Sequence, residues 1–254
     1  MKKWLCHGVA VIALAACEDA RGADLLGAAS ASLPSAPSPF DWTGFYFGGH
    51  VGYTGGTSNW SATSVPAQSG SLEFFNTFDA FKGTGSYFAG LQAGYDTMLP
   101  SRFVLGVEAD MSPPNTVSGN QTIASGLTGQ ASYGETVLQS GTARGRLGYP
   151  FNQWLVYGIG GFAWTYDRLT RTQLAGTPAA GTAAAGTAES ALLWRLGWTA
   201  GAGVEVPIEP NWTAKLEYLH VDLGSTNCAV GACSLPSRVG FQAEEVRAGV
   251  NYRF

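Results

Sequence analysis

Charge is scarce in this 254-residue chain: Asp, Glu, Lys and Arg together make up 13% of it, about half the share common in soluble domains. Positive charge is not in excess either. The net charge of −4 leaves no basic footprint, so nucleic acid is not an expected partner. Beyond the amino-terminal segment no apolar run reaches the roughly 18 residues a membrane helix needs. A mean hydropathy of only +0.04 excludes a bundle of apolar helices. Histidine is down to three residues, of which His50 and His220 lie outside the first stretch. That offers little for a metal centre, and no metal or cofactor is expected. What the chain does have is glycine (35 residues) and aromatics (12%), the composition of a sheet that alternates apolar and small polar side chains.

The amino terminus reads as an export signal over residues 1–22. Lys2 and Lys3 form a basic start, Trp4 to Ala16 an apolar stretch, and Ala20 and Gly22 the small residues before cleavage at Ala23. Leu14-Ala15-Ala16-Cys17 inside the same stretch looks like a lipobox, in which Cys17 would be acylated and become the first residue. Both routes take the chain out of the cytoplasm. Residues 23–41, rich in Ala, Ser and Pro, form a flexible leader. Residues 42–254 form a single β-domain, with no separate peptidoglycan-binding module expected on either side.

From Trp42 onward the apolar period is two. Eight segments alternate: Gly44–Thr54, Ser86–Met98, Arg102–Met111, Leu138–Tyr149, Trp154–Asp167, Trp194–Val206, Trp212–Asp222 and Glu245–Phe254. In the sixth, Trp194, Leu196, Trp198, Ala200, Ala202 and Val204 oppose Arg195, Gly197, Thr199, Gly201, Gly203 and Glu205. The fifth is so rich in glycine that its faces cannot be assigned. Alternation alone also fits a soluble sandwich. The lengths favour a bilayer, since soluble strands commonly run about 5–6 residues and crossing strands about 9–11. Connections alternate between short turns (Leu99–Ser101, Pro150–Gln153, Pro207–Asn211) and long polar loops, and aromatics gather near strand ends. The expected fold is all-β: an eight-stranded antiparallel up-and-down transmembrane β-barrel with short periplasmic turns and long extracellular loops. Closure is required because an unpaired strand edge in hydrocarbon is prohibitively costly.

Parity then assigns an interior set: Asp96, Glu108, Asp110, Arg144, Arg146, Arg195, Glu205, Lys215, Glu217, Glu245, Arg247 and Arg253. Acids and bases balance, as a closed ion-pair network inside a narrow barrel would require. A small pore lined by the same residues is the alternative. Cys228 and Cys233, close together in the last long loop, are expected to form a disulfide in an oxidising compartment. No nucleophile elbow of the G-x-S-x-G type is present, and no catalytic residue is assigned. In the first loop Phe74, Phe75, Phe78 and Phe81 form an aromatic cluster, read either as packing at the barrel rim or as an adhesive patch. The loop from Ala175 to Ser190 is low in complexity and carries no readable chemistry.

The blocks FDWTGFYFGGHVGY (from Phe40), SYFAGLQAGYD, GVEADM, TARGRLGYP, NWTAKLEYLHVDLG and VRAGVNYRF together resemble the small porin-like outer-membrane surface antigens of alphaproteobacteria. These sit within the superfamily of eight-stranded barrels that includes opacity-type adhesins. The resemblance implies an outer-membrane location, antigenic surface loops and a contribution to envelope integrity. Val250, Tyr252 and the terminal Phe254 resemble the signal read by the barrel assembly machinery. Expected partners are therefore outer-membrane lipid and lipopolysaccharide, that machinery, and host or cell-surface ligands. The expected function is a non-catalytic surface barrel, with a narrow solute channel and a lipid-modifying enzyme as alternatives.

Overall fold

A computed structural model of the chain describes residues 40–62, 78–113, 117–125, 129–176, 185–228 and 237–254. The signal, Cys17, the leader up to residue 39, Phe74, Phe75 and Cys233 lie outside these residues, and so do the expected lipidation and disulfide.

Ten strands follow one another: β1 (Gly44–Ala62), β2 (Phe78–Asp79), β3 (Gly85–Met98), β4 (Val104–Ser112), β5 (Ser118–Ser125), β6 (Gly129–Phe151), β7 (Trp154–Ala175), β8 (Ala188–Glu209), β9 (Trp212–Cys228) and β10 (Ser237–Arg253). All pairings are antiparallel, and β10 returns to pair with β1 from Tyr46↔Arg253 to Ala62↔Ser237, so the sheet closes on itself. β2 pairs only with β1 and β5 only with β6; the remaining eight strands make the wall. The sequence segments cover nearly all of β3 and β4 and the lower parts of the other wall strands. The strands run further, because β6 continues to Gly129 and β7 to Ala175, and the paired sheet extends into what the sequence reads as loops. Two of the lower turns are tighter than expected, whereas the one between β3 and β4 is longer, running from Leu99 to Phe103. Only Asn152 and Gln153 separate β6 from β7, with Asn152 at φ 54°, and only Pro210 and Asn211 separate β8 from β9.

Alternation sends one set of side chains outward and the other inward. On the glycine-rich β7, Leu155, Tyr157, Ile159, Ala163, Thr165 and Asp167 face in, while Trp154, Val156 and Phe162 face out. The Trp194, Leu196 and Trp198 row is exposed, as are Phe45, Val51, Val107, Leu147 and Leu216. Such a continuous apolar belt in contact with water would be unsustainable; against lipid it is the favourable surface. Ring pairs border it. Phe103 with Tyr149, and Trp212 with Tyr252, mark the lower edge; Tyr53 with Tyr87, and Tyr166 with Trp194, the upper.

The lumen is filled in layers. At the bottom Trp42 is fully buried beside Val104, Leu155 and Tyr157, its carbonyl accepting from Arg253. A charged layer follows. Above it Phe81, Val117, Val137, Val221, Leu223 and Phe241 form an apolar layer. A higher apolar cluster of Trp60, Tyr133, Leu169 and Val239 fills the outer extension.

Candidate functional site

The charged layer is the most densely built feature of the described residues. Its members come from β3, β4, β6, β8, β9 and β10, each brought inward by strand parity and brought level by cross-strand register, as in Glu108↔Arg144, Glu205↔Lys215 and Glu217↔Arg247. Arg144 pairs with Glu108, with Asp110 at 3.1 Å and with Glu217 at 3.4 Å. Arg146 reaches Glu205 at 2.7 Å and Asp96 at 3.6 Å, its guanidinium 3.9 Å from the centre of the Tyr157 ring. Lys215 bridges Glu108 at 2.8 Å and Glu217 at 3.1 Å. Arg247 joins Asp110 at 3.0 Å to Glu245 at 2.6 Å, and Arg253 joins Asp96 at 3.1 Å to Glu205 at 3.7 Å. Gly106 makes room: a Cβ there would collide with Asp96 Oδ1.

Arg195 does not belong to this layer. It lies above the Phe81 layer, with Nη2 2.8 Å from Glu135 and Nε 3.2 Å from Asp167. Glu135 and Asp167 are absent from the sequence-derived set, and with them the expected balance of charge fails. The lower layer holds Asp96, Glu108, Asp110, Glu205, Glu217 and Glu245 against Arg144, Arg146, Lys215, Arg247 and Arg253. The upper holds two carboxylates against one guanidinium. Each layer thus carries one carboxylate more than it has cations. At about 3.3 Å per residue and a tilt of about 40°, the step from Trp154 to Asp167 exceeds the roughly 25 Å apolar band. The upper layer therefore sits in the outer extension. There burial, and next the negative charge of Glu135, push the Asp167 carboxyl up to about 7 against the opposing pull of Arg195.

Beside the lower layer runs a hydrogen-bond chain of directed sense. Asn251 Nδ2 donates to Glu205 at 3.2 Å, and Gln92 Nε2 donates to Asn251 Oδ1 at 2.6 Å. Gln92 Oε1 therefore accepts from His50 Nδ1 at 3.1 Å, which leaves His50 Nε2 to accept from Ser112 Oγ at 3.1 Å. Ser112, His50 and Gln92 imitate a nucleophile, base and orienting amide. All three are buried in the lumen, Ser112 completely. Between this level and the apolar layer lies a cavity of about 20 Å³ lined by Thr54, Thr142, Thr165, Glu245 and Arg247, room for about one water and no substrate. No group of three or more His, Cys, Asp or Glu among the described residues is arranged to hold a metal.

Phe81 enters this interior from the first loop. Its ring meets Phe241 edge to face, and the backbone N–H of Phe81 and of Ser58 both donate to Asp79 Oδ1, at 3.0 and 2.8 Å. His220, by contrast, lies on the outer wall at the upper border of the apolar belt. Val250, Tyr252 and Phe254 all face outward from the last strand.

The chain is similar in sequence to known outer-membrane proteins. A 31 kDa outer-membrane immunogenic protein of Brucella melitensis is 37% identical over 236 residues, covering 88% of this chain and 90% of that protein. A 22 kDa outer membrane protein of Rhizobium leguminosarum is 26% identical over 213 residues, covering 84% and 78%. The crystal structure of the outer membrane protein OprG from Pseudomonas aeruginosa aligns over 85% of this chain and 98% of that one, at 14% identity and a TM-score of 0.49. The family model for the outer membrane protein beta-barrel domain matches residues 23–254, and the chain belongs to that family of outer-membrane proteins.

Proposed function

We propose that the protein is a closed, non-catalytic barrel whose wall anchors a rigid outer extension, and that the extension is the working surface. The observation that supports this reading is the buried Phe81 layer, which lies in the lumen between two charged layers. Trp42 supports it from the periplasmic end. The relatives in Brucella are named immunogenic proteins, which accords with paired strands standing clear of the membrane. Surface interaction, through the outer strands and loops, and a contribution to envelope integrity, through a stiff sealed body in the bilayer, follow from the same build. The outward Val250, Tyr252 and Phe254 would be available to the assembly machinery during insertion.

Burial of Ser112, His50 and Gln92 argues against hydrolysis, because no acyl or ester group could reach Ser112 Oγ. The reading is tested with purified, refolded protein in planar bilayers. Wild type should show no steady single-channel openings, and should release no product from labelled phospholipid or lipopolysaccharide. Steady openings would replace this reading with the channel, and product release would replace it with an enzyme.

A further inference from the structure

Every outward position on the lower parts of β9 and β10 is apolar or small up to Tyr218 and Val246. The character then changes. His220, Asp222, Gln242 and Glu244 all point outward, beside the Trp198 ring of β8, whose centre lies 5.3 Å from that of His220. The height of this group follows from counting along the strands. Trp212 to His220 and Tyr252 to Glu244 are the same steps as Phe45 to Tyr53 and Tyr95 to Tyr87. Where β1 and β3 set girdle tyrosines, β9 and β10 set a histidine and a carboxylate.

The group is organised. Glu244 accepts from His220 Nδ1 at 2.7 Å through one oxygen and from the Tyr218 hydroxyl at 2.5 Å through the other. Gln242 Nε2 donates to Asp222 at 3.1 Å. These bonds hold the side chains in place without consuming them. Each carboxylate oxygen keeps lone-pair capacity, and the imidazole keeps Nε2. The Glu244 side chain is 53% exposed and that of His220 33%. A carboxylate facing lipid is unfavourable, less so at the border than at mid-depth, and nothing in the packing of the wall requires one there.

We propose that Trp198, Tyr218, His220 and Glu244, with Gln242 and Asp222 above, form a binding site for the sugar headgroup of an outer-leaflet glycolipid. Fixed carboxylate, amide and imidazole groups beside exposed aromatic rings suit the recognition of sugar hydroxyls and amides, with a ring available to the apolar face of the sugar. The site faces the depth at which acyl chains give way to headgroups. Two carboxylates against a single imidazole disfavour phosphate, so the hydroxyl and amide groups are the recognised part. The site lies outside the closed lumen and is independent of whether that lumen conducts.

The test uses full-length protein refolded into phosphatidylcholine nanodiscs doped with small, equal fractions of rough lipopolysaccharide and phosphatidylethanolamine, with the lipid retained per barrel read by native mass spectrometry. Wild type should be enriched in glycolipid over the bulk, and the double variant His220→Leu, Glu244→Leu, which continues the apolar wall, should lose the enrichment about tenfold. Glu244→Gln, which keeps the shape, should lose part of it, and serves if the double variant does not regain heat-modifiable mobility. Dephosphorylated glycolipid should bind as well as the parent, and EDTA should not release it. Equal retention by wild type and the variants that fold, loss on dephosphorylation, release by EDTA, or equal enrichment of phosphatidylethanolamine would each overturn the proposal.

Discussion

Phe81 and Phe241 meet inside the barrel with ring centres 5.9 Å apart and planes at 88°, although one comes from the first outer loop and the other from the last strand. The contact turns part of a loop into a cross-piece of the lumen, held from above by Asp79, which accepts from the Ser58 and Phe81 N–H groups.

Phe81→Ala should therefore lower stability by about 3–5 kcal/mol, the usual cost of emptying a buried phenyl site. The readout is the temperature at which the fast-migrating folded form converts to the slow form on gels. Conductance should stay absent, since the Arg247, Asp110 and Arg144 ion pairs remain beneath. An unchanged conversion temperature would mean that Phe81 does not pack in the lumen.

Arg144 touches three carboxylates, Glu108, Asp110 and Glu217, all buried. Arg144→Ala leaves them with fewer cations and should cost about 3–5 kcal/mol. Arg168→Ala, at an exposed outward position, should change stability by less than about 0.5 kcal/mol. Equal effects from the two substitutions, measured by denaturant unfolding in detergent or lipid, would contradict the network.

Asp167 has a folded-state affinity for protons above its unfolded value, raised first by burial and second by Glu135. A raised carboxyl contributes stability below its unfolded pKa, near 4, and loses it as pH rises towards the folded value near 7. Stability should thus fall between about pH 4 and pH 8 in wild type. Asp167→Asn should flatten that slope and be the more stable form above pH 7. Conversion temperatures measured across this range check the sign; a rise with pH that depends on Asp167 would show the opposite linkage.

The wall was legible from residues because a period of two has only one geometric meaning in a sheet, and lipid fixes which face must be oily. That is why Arg144, Glu108 and Glu205 could be placed inward from parity. The outer extension was not legible for the same reason. There, both faces of the sheet meet water or a small core, so Ser118–Ser125 and Gly129–Gly134 lack the apolar outer row that marks a crossing strand. Glu135 lies in that unmarked region, whereas Asp167 closes the fifth alternating segment. Asp167 could have been found by carrying the parity of β7 past Thr165, but the glycines at positions 158, 160 and 161 obscure which face is which. Phe81 carried no signal beyond its aromatic character, because lumen entry depends on a loop path. The His50, Gln92 and Ser112 chain likewise arises from register among β1, β3 and β4, with no spacing that sequence could display.

β6 alone runs 23 residues without leaving the sheet. At about 3.3 Å per residue and a tilt of about 40°, that is roughly 55–60 Å of height, of which the apolar band takes roughly 25 Å. The remainder is a mast of paired backbone. Its tip stands at a distance from the bilayer fixed by ladder geometry, unlike the fluctuating end of a coil. A ligand that docks on these paired strands would meet them at a set altitude, and trimming residue pairs from the mast would lower that meeting point in equal, countable steps.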